Sequence, residues 1–335
     1  MTIIAALLLF SAIVFIHELG HFLFAKKAGV RVHEFAIGMG PKVFSTTKGD
    51  TQYSVRLLPL GGYVSMEGED EESKDPKSFG AKSILQRASI LFAGPFFNIL
   101  FAIVLLIPVY MYIGTPSTTL GQIAPNSPAQ KIGLQADDKI LNINGNEIKS
   151  WNDVTNNLRN SNGDKVNIKV QRDKETKEFS VVPQKNEQGN YIIGIGYKAE
   201  KNIFKSIAYA FTSTVDMTKQ MVMFIGQLVT GTIPGGFGNS VAGPIGVVGI
   251  VSNAAKMGII NLVHIASIIS LNLGVFNLLP IPALDGGRLV LLGLEAIRGG
   301  KKLDQNKEAM IHMAGFALLM GFMVFVTYKD ILRLF

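Results

Sequence analysis

The 335-residue sequence predicts a polytopic α-helical membrane protein, with a four-span core, a small β region and one inserted α/β domain. Three observations carry this. The chain is 48% hydrophobic with a mean hydropathy of +0.30, too apolar for an ordinary soluble protein. Four stretches, 3–25, 88–113, 259–279 and 310–328, each approach the ~20 apolar residues that a helix needs to cross the hydrocarbon core. Between the second and third, residues 115–201 are polar, rich in Asn and Asp, and carry short alternating runs. The chain then divides into 1–114 and 202–335, the two halves of the core, with 115–201 between them.

Stretch 3–25 lacks a positively charged leader and runs into His17-Glu18-Leu19-Gly20-His21 instead of a small-residue cleavage site. It is expected to be a retained span and not a signal peptide. In 35–66, Gly38, Gly40 and Gly49 punctuate the chain, Tyr53–Leu58 reads as a strand, and Gly61-Gly62-Tyr63-Val64 comes next. That pattern predicts a hairpin or small sheet. Gly68–Lys77 is acidic and expected to be a solvated loop. Stretch 88–113 contains Gly94-Pro95 and Asn98. Within 115–201, Val166-Asn167-Ile168-Lys169-Val170 alternates as a half-buried strand does. Asn144-Gly145, Asn162-Gly163 and Gln188-Gly189 mark turns. The apolar stretch 204–229 carries Lys205, Asp216, Lys219 and Gln220, so it is expected to lie in the interface as an amphipathic helix.

Charge suggests an orientation. The net charge of +7 is dispersed, with no basic patch interleaved with aromatics, so nucleic acid is not implied. Lys26–Arg87 holds ten Lys/Arg, and the connection after the third span adds Arg288, Arg298, Lys301, Lys302 and Lys307. The positive-inside rule places both basic connections in the cytoplasm, and both chain ends and 115–201 outside. The chain has no cysteine. Disulfides and thiol catalysis are excluded, and any metal must be held by His, Asp or Glu.

His17-Glu18-Leu19-Gly20-His21 is an HExxH motif inside the first apolar stretch. On a helix its two histidines are i,i+4 neighbours that can reach one Zn²⁺, with Glu18 beside them as general base. Ionisable side chains within a span are costly and usually functional. Hydrolytic metal chemistry at membrane depth is therefore expected. A catalytic zinc takes three protein ligands, and the motif supplies two. Asp285 is the best-placed third, in Asn277-Leu278-Leu279-Pro280-Ile281-Pro282-Ala283-Leu284-Asp285-Gly286-Gly287. Pro280 and Pro282 break the third span there, and Gly286-Gly287 is expected to loosen the segment beyond Asp285. A broken helix is tolerated at that depth where it is buried in protein or lines a polar cavity. The alternative is that Leu284-Asp285-Gly286-Gly287 is an interfacial turn, with Asp285 capping the next helix. His264 lies too far along the third span, His312 is in the fourth span without a neighbouring motif, and His33 is in the basic connection, so all three are expected to be packed or solvated.

Ile123-Ala124-Pro125-Asn126-Ser127-Pro128-Ala129, Gly133-Leu134, Asp137-Asp138-Lys139-Ile140, Ile143-Asn144-Gly145 and Trp151-Asn152-Asp153 together resemble a bacterial PDZ domain. Adding HELGH, Ala93-Gly94-Pro95 with Asn98, and Asn277…Pro280-x-Pro282-x-Leu284-Asp285-Gly286, the chain resembles the site-2 protease family, in its regulator-of-sigma-E protease branch. The resemblance implies an intramembrane zinc metalloprotease that cuts single-span membrane proteins, such as anti-sigma factors and remnant signal peptides, after a first-cutting protease. It implies Zn²⁺ held by His17, His21 and Asp285, Glu18 as catalytic acid/base, and Asn277, Pro280 and Pro282 in substrate binding. It makes 35–66 a membrane-associated β region that pairs with unwound substrate. Val241-Ala242-Gly243-Pro244-Ile245-Gly246 looks like a family motif in a membrane-facing loop. The chain departs from well-known relatives in having one PDZ-like module where they have two.

Two other classes remain open to the sequence. A membrane-anchored PDZ scaffold with a non-catalytic metal site would bind without cleaving. A transporter would also have broken helices and intramembrane carboxylates, but no inverted repeat is visible.

Overall fold

The computed structural model describes residues 2–69, 71, 73–186, 189–232 and 241–333. In chain order these form α1 (Thr2–Lys27), β1 (Val32–Lys48), β2 (Thr51–Met66), α2 (Ile84–Ile113) and β3 (Thr115–Ile123). Next come α3 (Pro128–Lys131), β4 (Lys139–Ile143), β5 (Asn146–Glu147), α4 (Trp151–Asn160), β6 (Val166–Arg172) and β7 (Glu175–Val181). After them stand β8 (Gln184–Lys185), β9 (Tyr191–Ile192), β10 (Ile195–Glu200) and α5 (Ile203–Thr230). The last helices are α6 (Pro244–Met257), α7 (Ile259–Asn277), α8 (Asp285–Ile297) and α9 (Gln305–Leu332). The chain forms two compact units, one from Met1–Val109 with Ala210–Phe335 and the other from Tyr110–Tyr209.

In the first unit, four described helices are long and apolar enough to cross a membrane: α1 over Ala6–Lys27, α2, α7, and α9 over Asn306–Leu332. They coincide with the four stretches expected, with ends shifted by a few residues. Helix α5 is not among them. It occupies the 204–229 stretch as one continuous helix. The spans approach closely where glycine removes the side chain. A Cβ on Gly20 would stand 2.4 Å from the Ala93 carbonyl, and one on Gly274 would stand 2.8 Å from that of Pro95. Glycine and proline therefore define one crossing point of α1, α2 and α7, and Pro95 lacks the N–H that would bond the Leu91 carbonyl.

The β region is more folded than a hairpin. β1 turns at Gly38 and Gly40, both at positive φ, and β2 turns at Gly61. Residues 32–37 consequently pair on both sides: Glu34 lies opposite Gln52 and Ser65, and Phe35 opposite Tyr53 and Val64. Residues 42–48 pair with 51–56 alone. The segments run in the order 62–66, 32–37, 52–56, 42–48. Glu34 locks them, accepting hydrogen bonds from Ser54, Arg56 and Tyr63. Burial opposes its charge, yet those donors hold its carboxyl down to about 2. Phe22 of α1 stacks on Phe35 at 4.9 Å between ring centroids, within a core that also includes Ala25, Val32, Met66 and Ile90. Described residues of the acidic segment after Met66 are held by ion pairs, while Glu71, Lys74, Pro76 and Lys77 are exposed, as in the solvated loop expected. Arg31 pairs with Asp75, His33 with Glu67 at 2.8 Å, and Arg288 with Glu69 at 2.5 Å.

The motif Val241–Gly246 is a helix start and not only a loop: Val241–Gly243 lead in, and Pro244 opens α6. Asp330 of α9 accepts hydrogen bonds from Gly243 N (3.1 Å) and Gly246 N (2.7 Å). A carboxylate there satisfies orphan donors and complements the positive end of the helix. A Cβ on Gly243 would stand 2.7 Å from that carboxylate, so the glycine is needed for the approach.

The second unit is a sheet of order β10-β3-β4-β6-β7, with β5 paired to β4. Its core is built from Leu120, Ile140, Ile143, Val154, Val166, Ile168, Val170 and Ile193, all fully buried. Each such side chain contributes roughly 1.5–3 kcal/mol by leaving water. Strand β6 alternates buried and exposed from Val166, as its sequence predicts. Asn144 and Gly145 both have positive φ and turn the chain between β4 and β5. Gly163 and Gly189 also have positive φ, whereas Gln188 lies outside the described residues. A capping box of Ser150 and Asp153 starts α4. Asp138, fully buried, takes two bonds from Arg172 at 2.6 and 2.7 Å. At the mouth of the unit, Tyr110 and Tyr209 meet edge to face at 4.7 Å.

Candidate active site

Helix α1 presents His17 and His21 on one face, both buried. Their Nε2 atoms are 3.2 Å apart. Asp285 Oδ2 lies 3.2 Å from His17 Nε2 and 3.5 Å from His21 Nε2. Among the described residues, these three form the one His/Asp/Glu group placed to hold a metal ion. Tetrahedral zinc with bonds of about 2.0–2.1 Å has donor–donor edges of about 3.3–3.4 Å, and the observed triangle matches that. Asp285 Oδ2 is buried with no hydrogen-bond donor, an orphan that a cation would satisfy. The donor set therefore fits zinc.

Local sequence explains the convergence. Helix α7 ends at Asn277, before the prolines. The chain crosses through Pro280 and Pro282, with Ala283 at φ +75, and restarts as α8. Asp285 is the first residue of that helix and turns toward the histidines. The cap position is Leu284, whose side chain makes no capping bond. Gly286 and Gly287 do not loosen this segment. They are buried in α8, where a Cβ would stand 2.2 Å from the Leu279 carbonyl and 2.3 Å from that of Ile281. They let the helix fold back tightly on its own approach. His312 contributes too, since its Nδ1 accepts the Ala283 N–H at 3.1 Å. Asn277 and Pro282 are half-buried and Pro280 exposed along this connection.

The second ring nitrogens are also engaged. His21 Nδ1 lies 2.8 Å from the Ile90 carbonyl. His17 Nδ1 lies 3.1 Å from the Asn98 amide. Both partners come from α2, where a Cβ on Gly94 would stand 2.3 Å from His21 Nε2 and 2.9 Å from His17 Cε1. Gly94 is thus the only residue type that leaves room for both imidazoles. Glu18, next to them on α1, is half-buried, and Gly62 of β2 lies beside it: a Cβ there would be 3.7 Å from Glu18 Cγ. The Ile90 carbonyl and His312 carry no sequence signal. His33 is engaged with Glu67, and the half-buried His264 lies outside the cluster.

The sequence profile of peptidase family M50 matches residues 5–322. The chain belongs to peptidase family M50. A Clostridium acetobutylicum chain assigned to the zinc metalloproteases is 41% identical over 332 residues, 98% of this chain and 97% of that one. The regulator of sigma-W protease RasP of Bacillus subtilis is 35% identical over an alignment of 421 positions, covering 100% of this chain and 99% of its own. The zinc metalloprotease RasP of Geobacillus kaustophilus is 34% identical, covering 100% and 98%. The two Bacillus-type relatives hence carry segments that this chain lacks. A solved PDZ domain of an SdrC-like protein from Listeria monocytogenes is 24% identical and covers 26% of this chain and 88% of its own, with a TM-score of 0.22. This M50 member is a zinc metalloprotease and a multi-pass membrane protein with Zn²⁺ as cofactor.

Proposed function

We propose that this M50 peptidase is an intramembrane endopeptidase that cuts single-span transmembrane proteins, such as anti-sigma factors or remnant signal peptides, in regulated intramembrane proteolysis. The observation that carries this is the His17–His21–Asp285 triangle, with both histidines on α1, a helix long and apolar enough to span a membrane, and the aspartate at the start of α8, just beyond the equally long and apolar α7. His17, His21 and Asp285 hold the metal, and Glu18 is the general base and acid. Zinc, when bound there, would supply an acidified water and polarise the scissile carbonyl. Glu18 would take a proton from the attacking water and give it to the leaving amine nitrogen as the C–N bond breaks. Asn277, Pro280 and Pro282 line the approach to Asp285 and help seat the substrate.

A transmembrane helix hides its carbonyls in its own hydrogen bonds, so it must unwind before attack. Segment 62–66 is one edge of the β region, and Gly62 lies beside Glu18. Strand addition at this edge offers the unwound chain replacement backbone partners. The test is cleavage of a single-span substrate in vesicles reconstituted with the purified protein. Chelation should abolish cleavage and added zinc restore it. A substrate with its outer domain removed should be cut faster than an intact one, and deleting 117–197 should shrink that difference. Binding without cleavage would support the scaffold reading instead. Equal rates for trimmed and intact substrates would remove the access role of the PDZ-like module and the need for a first-cutting protease.

Orientation follows the basic connections: both ends and the PDZ-like module outside, the HELGH end of α1 toward the cytoplasm. The chain has no cysteine, so single cysteines report cleanly. With an impermeant reagent, Ser150→Cys should label from outside and Ser73→Cys only from inside. The opposite pattern overturns this orientation.

A further inference from the structure

Asn98 sits at the crossing of α1, α2 and α7, fully buried. Its main-chain carbonyl accepts the Ser270 Oγ–H at 2.8 Å. Its side-chain Nδ2 faces His17 Nδ1 at 3.1 Å, while its Oδ1 is buried with no partner. A buried amide that uses one end and leaves the other unsatisfied costs free energy, so its persistence here needs a reason.

The reason lies in the two forms of a neutral imidazole. His17 points Nε2 at Asp285 Oδ2. With its proton on Nε2, His17 leaves Nδ1 bare to accept from Asn98 Nδ2, a pairing that the 3.1 Å contact fits. As a metal ligand, Nε2 must offer its lone pair, so the proton moves to Nδ1. An N–H on Nδ1 would then oppose the N–H of Asn98. Turning the amide about its Cβ–Cγ bond brings Oδ1 to Nδ1 and turns repulsion into a hydrogen bond. Among common side chains of this size, only a primary amide offers both a donor and an acceptor at the same place.

We propose that Asn98 is a positioning residue of the metal centre, whose amide donates to His17 in the metal-free protein and accepts from His17 Nδ1–H when zinc is bound. It fixes the ring's orientation and tautomer for ligation, as the Ile90 carbonyl does for His21. Because that carbonyl is main chain, Asn98 is the one of the two supports that substitution can remove. This inference rests on the reading of His17 as a ligand.

The experiment measures zinc affinity of the full-length protein in detergent by competition with a chromophoric chelator, with apo-protein melting as the folding control. Asn98→Leu, similar in size but unable to accept, should weaken zinc about 10–100-fold. Asn98→Asp, whose carboxylate accepts from Nδ1–H, should keep the parent affinity. An Asn98→Leu protein that melts normally and binds zinc as the parent does overturns the proposal. So does an Asn98→Asp protein that binds zinc tenfold or more weakly, and this arm decides if the leucine variant does not fold. His17→Ala separates the two levels. If it retains zinc, the ligand reading itself fails. If it loses zinc while Asn98→Leu does not, only the role of Asn98 fails.

Discussion

Glu18→Gln is expected to leave zinc bound and to slow cleavage by about 10²–10⁴-fold, the range general acid–base catalysis supplies. The substitution keeps the size of the side chain and removes only its capacity to take and return a proton. Glu18 is outside the triangle of ligating atoms, so the metal should stay. The Glu18 side chain is also close to Gly62, so an isosteric change avoids disturbing the contact of α1 with the β region. Zinc content by mass spectrometry and single-turnover cleavage of a reconstituted substrate read the two effects separately. A Glu18→Gln protein with full activity would end the assignment of Glu18 as the base.

Asp285→Asn should cost zinc itself. The carboxylate supplies the anionic donor of the three, and its Oδ2 has no hydrogen-bond donor to satisfy it otherwise. A neutral amide is a poor ligand, and its NH₂ group would point donors at the cation. The loss should exceed the roughly 10–100-fold caused by removing an outer hydrogen-bond partner, with cleavage falling in parallel. His17→Ala and His21→Ala should behave in the same way. Chelator competition checks this. An Asp285→Asn protein of unchanged zinc affinity would make Asp285 merely the first residue of α8.

Much of this site was legible in the sequence because its chemistry is local. HELGH marks two candidate ligands by helical spacing alone, and Asp285 is marked as a third candidate by prolines that forbid a continuous helix. The hidden part depends on contacts between distant segments. The Ile90 carbonyl is a main-chain atom in an apolar run and carries no composition signal. Asn98 stood out as a polar residue within a span, but its partner is 81 positions away. Gly286 and Gly287 read as flexible because glycine usually is, whereas here they permit close packing against Leu279 and Ile281. The β region read as a hairpin because strand propensity does not report which segment pairs twice. The role of the motif at Gly243 is not legible locally because its partner, Asp330, lies 87 positions later.

The aromatic contact between Tyr110 and Tyr209 has a consequence for how such chains can diversify. Everything between these two rings leaves and returns at nearly one point. A module grafted on so narrow a neck adds mass without stretching its host, and it can be shortened, exchanged or doubled while the neck stays closed. The spans and the module at the neck are therefore free to change independently of each other.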